Sequence, residues 1–112
     1  IKNVFRIVPC NKSFELNKKY RLYFQPESRG YSNHQFTGIY TAKEAFIKAL
    51  GTGMRYGSWQ DIEIYHDEWG APLIRLQDTF KDIYETSGYT DIHVSISHCK
   101  DYAMSTVILE GA

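Results

Sequence analysis

The sequence predicts an α+β fold, a small antiparallel sheet packed with helices, and three observations carry that prediction. An apolar stripe at helical spacing (Ala42, Ala45, Phe46, Ala49, Leu50) runs through "YTAKEAFIKALGTG", residues 40–53. Past Gly53 the period changes to two. Strand-like segments then come in two pairs, "WQDIEIYH" with "PLIRL" and "DIHVSIS" with "YAMSTVILE", each joined by a short polar connection that reads as a hairpin.

Taken in order, "IKNVFRIV" fits either a short strand or the first turn of a helix, ended by Pro9. "KSFELNKKYRLYF" spaces Phe14, Leu16, Tyr20, Leu22, Tyr23 and Phe24 loosely as a helix would. "QPESRGYSNH" has loop composition. The main helix is expected from about Gln35 to Leu50, with Gly51 as its C-terminal cap. In the first hairpin Ile62 and Ile64 share one face, with Asp61 and Glu63 on the other, and "DEWG" makes the turn. "QDTFKDIYETSG" is a short amphipathic helix burying Phe80, Ile83 and Tyr84 and stopped by Gly88. The second hairpin turns through "HCKD".

A chain of 112 residues is the size of one domain, so residues 1–112 are read as a single unit. Thirteen basic and thirteen acidic side chains balance, which gives no bulk argument for nucleic acid or for a membrane. The balance hides an asymmetry. Residues 1–34 hold seven basic side chains and two acids, against six and eleven in the rest, so the N-terminal third suits an acidic partner or a solvated basic face. Cys10 and Cys99 have no metal-type spacing and form no disulfide framework, which fits a reduced, cytoplasmic setting. No apolar run approaches the roughly 20 residues of a membrane span. The sequence opens at Ile1 without a signal peptide or a Met, as a trimmed N-terminus would.

Histidines do not point to a metal centre. His93 and His98 lie five apart in a strand, on opposite faces, while His34 and His66 belong to a loop and to the edge of a turn. Glu44 and Lys48, four apart on a helix, read either as a surface ion pair or as part of a phosphate-handling site. The second reading draws on Gly51-Thr52-Gly53, a turn whose N–H groups can form an anion-binding concavity, and on Ser97 and His98 at a strand end. A carboxylate, a lysine and a glycine turn together suit a metal-bridged phosphate.

These residues carry a resemblance. Tyr40, Lys43, Glu44 and Lys48 match the aromatic–K-E-x-x-x-K signature of the small bacterial holo-acyl-carrier-protein synthases, in the 4'-phosphopantetheinyl transferase superfamily. "WQDIEIYHDEWGAP", "HVSISH" and "YAMSTVILE" continue the likeness in the family's order. The resemblance implies the 4'-phosphopantetheinyl transferase fold and transfer of 4'-phosphopantetheine from coenzyme A to a serine of apo-acyl carrier protein, for fatty acid synthesis. It makes Glu44 a Mg²⁺ ligand and sets Lys48 along the pyrophosphate, with Glu44 and Lys48 as the catalytic pair. Lys43, Gly51, Thr52 and Gly53 go to the phosphate and nucleotide side, and Ser97 and His98 face the nucleotide. It also implies a homotrimer with the coenzyme A site between adjacent subunits.

At the N-terminus, "IKNVFRI" resembles the family's opening, in which an Asp-Ile strand end is followed by Arg-Ile at the head of a helix. Arg6 is then the residue that grips the acidic recognition helix of acyl carrier protein, and the second metal carboxylate falls immediately before Ile1. The chain departs from the family at Ile39, where Arg is usual, at Ala71, where Lys is usual, and at Cys99, where Thr is usual. The first two remove positive charge. They motivate an alternative, a catalytically impaired homologue that binds coenzyme A or acyl carrier protein without transfer.

Overall fold

The computed structural model describes residues 3–13, 32–98 and 102–111, and of residues 3–13, 33 and 34 the backbone alone. Among these residues five strands and two helices follow in the order β1 (Asn3–Ser13), α1 (Asn33–Leu50), β2 (Ile62–His66), β3 (Pro72–Leu76), α2 (Asp78–Thr86), β4 (Tyr89–His98) and β5 (Tyr102–Gly111). A single 3-10 turn, Trp59–Asp61, leads into β2. The strands form two antiparallel sheets, β1-β5-β4 and the hairpin β2-β3. This is the α+β class that the change of period predicts. The expected helix over residues 14–24 and the loop before Ser32 lie outside the described residues.

Two expectations need correction. Pro9 does not end the first element; β1 runs on to Ser13, with Pro9 opposite Thr106. The sheet order explains it, because β1 lies at an edge and an edge strand has one side on which a missing N–H breaks no ladder bond. For the same reason Arg6 and Ile7 stand in a strand, not at the head of a helix, with a bulge between Val4 and Arg6. The second correction is small. Helix α1 starts at Asn33, two residues early, because Ser32 and Gln35 make a capping box: the Gln35 N–H donates to Ser32 Oγ at 3.1 Å and the Ser32 N–H to Gln35 Oε1 at 2.8 Å.

At its other end α1 stops as predicted. Gly51 takes φ 87°, the left-handed conformation glycine tolerates, and its N–H donates to Ile47 O at 2.9 Å. The apolar stripe turns inward. Ala45, Phe46 and Ala49 are buried with Ile62, Phe80, Val107 and Leu109, while Ile39, Ala42 and Ile64 form a second cluster toward the head of the helix. Alternation along β5 sends Ala103, Ser105, Val107 and Leu109 to the helix side and Tyr102 and Met104 to the other. Val107 and Leu109 therefore belong to the core of the single chain, whereas Met104 stays half-exposed.

Candidate active site

Helix α1 organises the candidate residues, and it distributes them over two places. Glu44 and Lys48 sit one turn apart on its C-terminal half, Glu44 half-buried and Lys48 exposed. Both have partners in the structure. The helix then ends in the Gly51-Thr52-Gly53 turn, where Gly53 also has a positive φ, 64°. The turn is less open to anions than its composition suggests, since the Gly51 N–H is committed to the helix cap. The Thr52 hydroxyl donates to Gly53 O at 2.9 Å. A cation not identified from sequence joins it: Arg55 Nε donates to Thr52 O at 2.9 Å, which brings a guanidinium to the turn. Its signal was its place, two residues past Gly53.

The dipole of α1 sharpens the chemistry of this end. A helix C-terminus carries partial negative charge, which favours cations and opposes a bare phosphate. Lys48 in the last turn complements it. An anion held here needs Lys48, Arg55 or a metal ion to offset the field. Among the described residues no three His, Cys, Asp or Glu side chains gather as a metal cluster. Mg²⁺ does not require one, because it is commonly held by one or two carboxylates and completed by substrate phosphates and water. Glu44, a half-buried carboxylate one turn before Lys48, fits that donor set.

Lys43 is placed differently from its neighbours. Its side chain is fully buried, and Nζ donates to Trp59 O at 3.0 Å. Trp59 in turn stacks on Tyr40, with ring centroids 5.7 Å apart and planes at 28°. Lys43 thus ties the middle of α1 to the 3-10 turn ahead of β2, and the aromatic of the signature braces the same turn. Its ammonium is a strut within the chain, not a group presented at the surface.

His98 lies elsewhere. It ends β4, and the helix backbone meets that strand end closely: a Cβ on Gly38 would stand 2.7 Å from Ile96 Cγ2 and 3.6 Å from His98 Cδ2. Beside it opens a cavity of about 280 Å³ lined by Gln35, Ile39, His66, Ile96 and His98. Ser97 does not share it. Pairing sets Ser97 opposite Met104, on the far face of the sheet, and His98 opposite Ala103. Gly38 and Lys48 stand ten positions apart on the helix, about 15 Å along the axis. Within one chain, then, His98 lies by the head of α1, while Glu44 and Lys48 stand about 9 and 15 Å further along its axis. The Arg6 side chain lies outside the described residues.

Against known proteins, the sequence profile of the 4'-phosphopantetheinyl transferase superfamily matches residues 11–107. The chain belongs to that superfamily. Among 4'-phosphopantetheinyl transferases, it is 39% identical to the holo-[acyl-carrier-protein] synthase of Thermoanaerobacter sp. (strain X514), over 97% of this chain and 84% of that protein. The holo-[acyl-carrier-protein] synthase of Neisseria meningitidis superposes with a TM-score of 0.78 at 25% identity, covering 96% of this chain and 98% of that one. A Bacillus anthracis holo-(acyl-carrier-protein) synthase, solved in complex with CoA (3',5'-ADP), superposes with a TM-score of 0.72 at 26% identity over 97% and 98% of the two chains. The α+β fold is that of these transferases.

Proposed function

We propose that this chain transfers the 4'-phosphopantetheine arm of coenzyme A to a serine of apo-acyl carrier protein, giving holo-acyl carrier protein for fatty acid synthesis in the cytoplasm. What supports it most is the superfamily match together with Glu44 and Lys48 one turn apart, at a helix end that meets a glycine turn and Arg55. In the reaction the serine oxygen bonds to the phosphorus that bears pantetheine, the P–O bond to the nucleotide breaks, and adenosine 3',5'-bisphosphate leaves.

Each group has a task. Lys48 and Arg55 neutralise pyrophosphate oxygens against the helix dipole, and Lys48 is the side chain nearest the task of assisting loss of the serine proton. Glu44 would hold Mg²⁺, which when bound supplies charge stabilisation at the transferring phosphoryl group. Lys43 acts on the phosphate side through the chain it braces, by keeping the 3-10 turn and α1 in register.

A homotrimer accounts for the separation of the two groups. His98 stands by the head of α1 and Glu44 and Lys48 further along it, and a cleft between adjacent subunits would bring one chain's His98 toward another's Glu44. The partly exposed Tyr102 and Met104, on the sheet face away from α1, supply apolar area for such an assembly. Arg6 and the basic N-terminal third form the surface for the acidic carrier protein.

Glu44→Gln tests the assignment. The amide is a poor ligand for a hard dication, so transfer of labelled pantetheine should fall by about 100-fold or more with the fold intact. Activity within about twofold of the parent would overturn the role of Glu44. The second reading, binding without transfer, has Ile39 in its favour: it is buried in the helix-head cluster and offers no charge to a phosphate. Coenzyme A binding with no turnover by the parent chain would select it.

A further inference from the structure

Strand β4 ends at the cavity beside His98 and begins at another. This second cavity measures about 330 Å³ and lies among the hairpin β2-β3, helix α2 and the first residues of β4. We infer that it binds a primary ammonium carried on an aromatic or aliphatic body, with Glu85 and Asp91 as the groups that select for the charge. Glu44, Lys48, Arg55 and His98 do not line it, so such a ligand sits apart from the transfer chemistry.

Its floor is apolar. Ile74, Leu76 and Ile92 line it, each partly covered and packed against the main core, and the Tyr84 ring stands with them. The volume falls inside the range of pockets that take small organic ligands. On the β4 side the wall is irregular. Pairing with β5 shifts register between Tyr89 and Asp91, the kind of bulge that re-aims side chains, and Thr90, Asp91 and Ile92 all reach the cavity. The Thr90 hydroxyl donates to Asp91 Oδ2 at 3.0 Å, which helps to hold that carboxylate in place.

The charges of the lining favour a cation. Among the described residues its ionic side chains are Lys81, Glu85 and Asp91, one ammonium against two carboxylates. Both carboxylates act at one spot: burial first, then Asp91 and Glu85, hold the Tyr84 phenol above its ordinary 10.0. Their field converges beside a ring whose face also attracts cations. Lys81 does not cancel it. The exposed Lys81 precedes Glu85 by one helical turn, the poorer order for such a pair, and the two make no ion pair. The cation of the hairpin wall, Arg75, is engaged by Glu63 at 2.7 Å and rests over the Tyr65 ring, 4.2 Å from its centroid. A ligand ammonium supplies the missing positive charge, while its body covers Ile74, Leu76 and Ile92.

The probe is phenethylamine, protonated at neutral pH, compared by calorimetry with 3-phenylpropionate, which carries the opposite charge on a like body. The parent should bind the amine at least about tenfold tighter than the acid, the scale of a charge-assisted hydrogen bond. E85Q and D91N should each weaken the amine by about threefold or more, whereas K81Q should strengthen it. Glu85 and Lys81 are exposed, and D91N keeps an oxygen for the Thr90 hydroxyl, so all three variants should melt like the parent. Amide shifts on binding should centre on Tyr84 and Ile92. Equal binding of amine and acid, or an amine affinity unchanged in both E85Q and D91N, would overturn this assignment. So would the absence of saturable binding up to about 10 mM amine, the floor for a ligand of that size.

Discussion

At the scale of single residues, two side-chain positions carry strain or commitment that a variant would expose. Gly38 is one. An added methyl would stand 2.7 Å from Ile96 Cγ2, closer than real contacts allow, so Gly38→Ala must push β4 away or bend the helix. Overpacking of this kind destabilises by about 1–3 kcal/mol, and the melting temperature should fall accordingly. Because His98 lies against the same glycine, nucleotide binding should weaken more than the stability loss alone explains. Lys43 is the other. Lys43→Ala should cost about 2–5 kcal/mol, since it opens a cavity and leaves the Trp59 carbonyl with the Ile62 N–H but without the ammonium. Lys43→Met refills the space and should recover much of that loss in a denaturant titration, with Trp59 fluorescence reporting the loosened turn. If Met is as damaging as Ala, the ammonium itself matters and Lys43 has a role beyond bracing. The sequence displayed the identity of these residues and hid their tasks. A lysine inside K-E-x-x-x-K gives no sign of its burial, and a cavity shared by His66 and His98 has no signature in spacing at all.

At the scale of elements, regular periodicity was legible and edge effects were not. Helix α1, both hairpin strands β2 and β3, helix α2 and strands β4 and β5 all follow from apolar spacing and glycine stops, because those signals are local. Strand β1 was ambiguous, since a proline ends most elements and only the sheet order reveals that this strand is an edge. The capping box at Ser32 was present in the letters and marks the helix start two residues earlier than the apolar stripe does. Packing of α2 on β4 gives a pH-dependent consequence. Tyr84 stacks on Tyr89 with centroids 5.8 Å apart, and burial, then the charges of Asp91 and Glu85, hold its phenol above the ordinary 10.0. A folded-state value raised above the unfolded one leaves the native chain holding the extra proton, so the contribution is intact below about pH 10 and is lost as pH rises through the folded value. Stability should therefore fall above about pH 10, and Tyr84→Phe should flatten that part of the profile in melts from pH 8 to 11. An identical alkaline slope in Tyr84→Phe would assign the loss to other groups.

At the scale of the whole molecule, the expected assembly is a trimer. Light scattering at micromolar concentration should give three times the 13.0 kDa chain mass, and Met104→Glu, on the sheet face turned away from α1, should lower it while leaving the monomer core intact. A monomer mass for the parent would remove the shared cleft and require one chain to join His98 and Glu44 by itself. The register of the central strand has a consequence of another kind. β5 is paired on both sides, to β4 next to it in sequence and to β1 at the opposite end, with Asn3 facing Gly111 and Ser13 facing Tyr102. As the chain leaves the ribosome, β1 emerges early and must wait for almost every later residue before its partner exists. Until then it is an unpaired strand with open N–H and C=O groups, the form most prone to join another chain. Closing so long a loop is also slow. The transferase thus passes through synthesis with its earliest strand as its most vulnerable part, and a proline in the middle of that strand removes one of the donors through which a stray neighbour could attach.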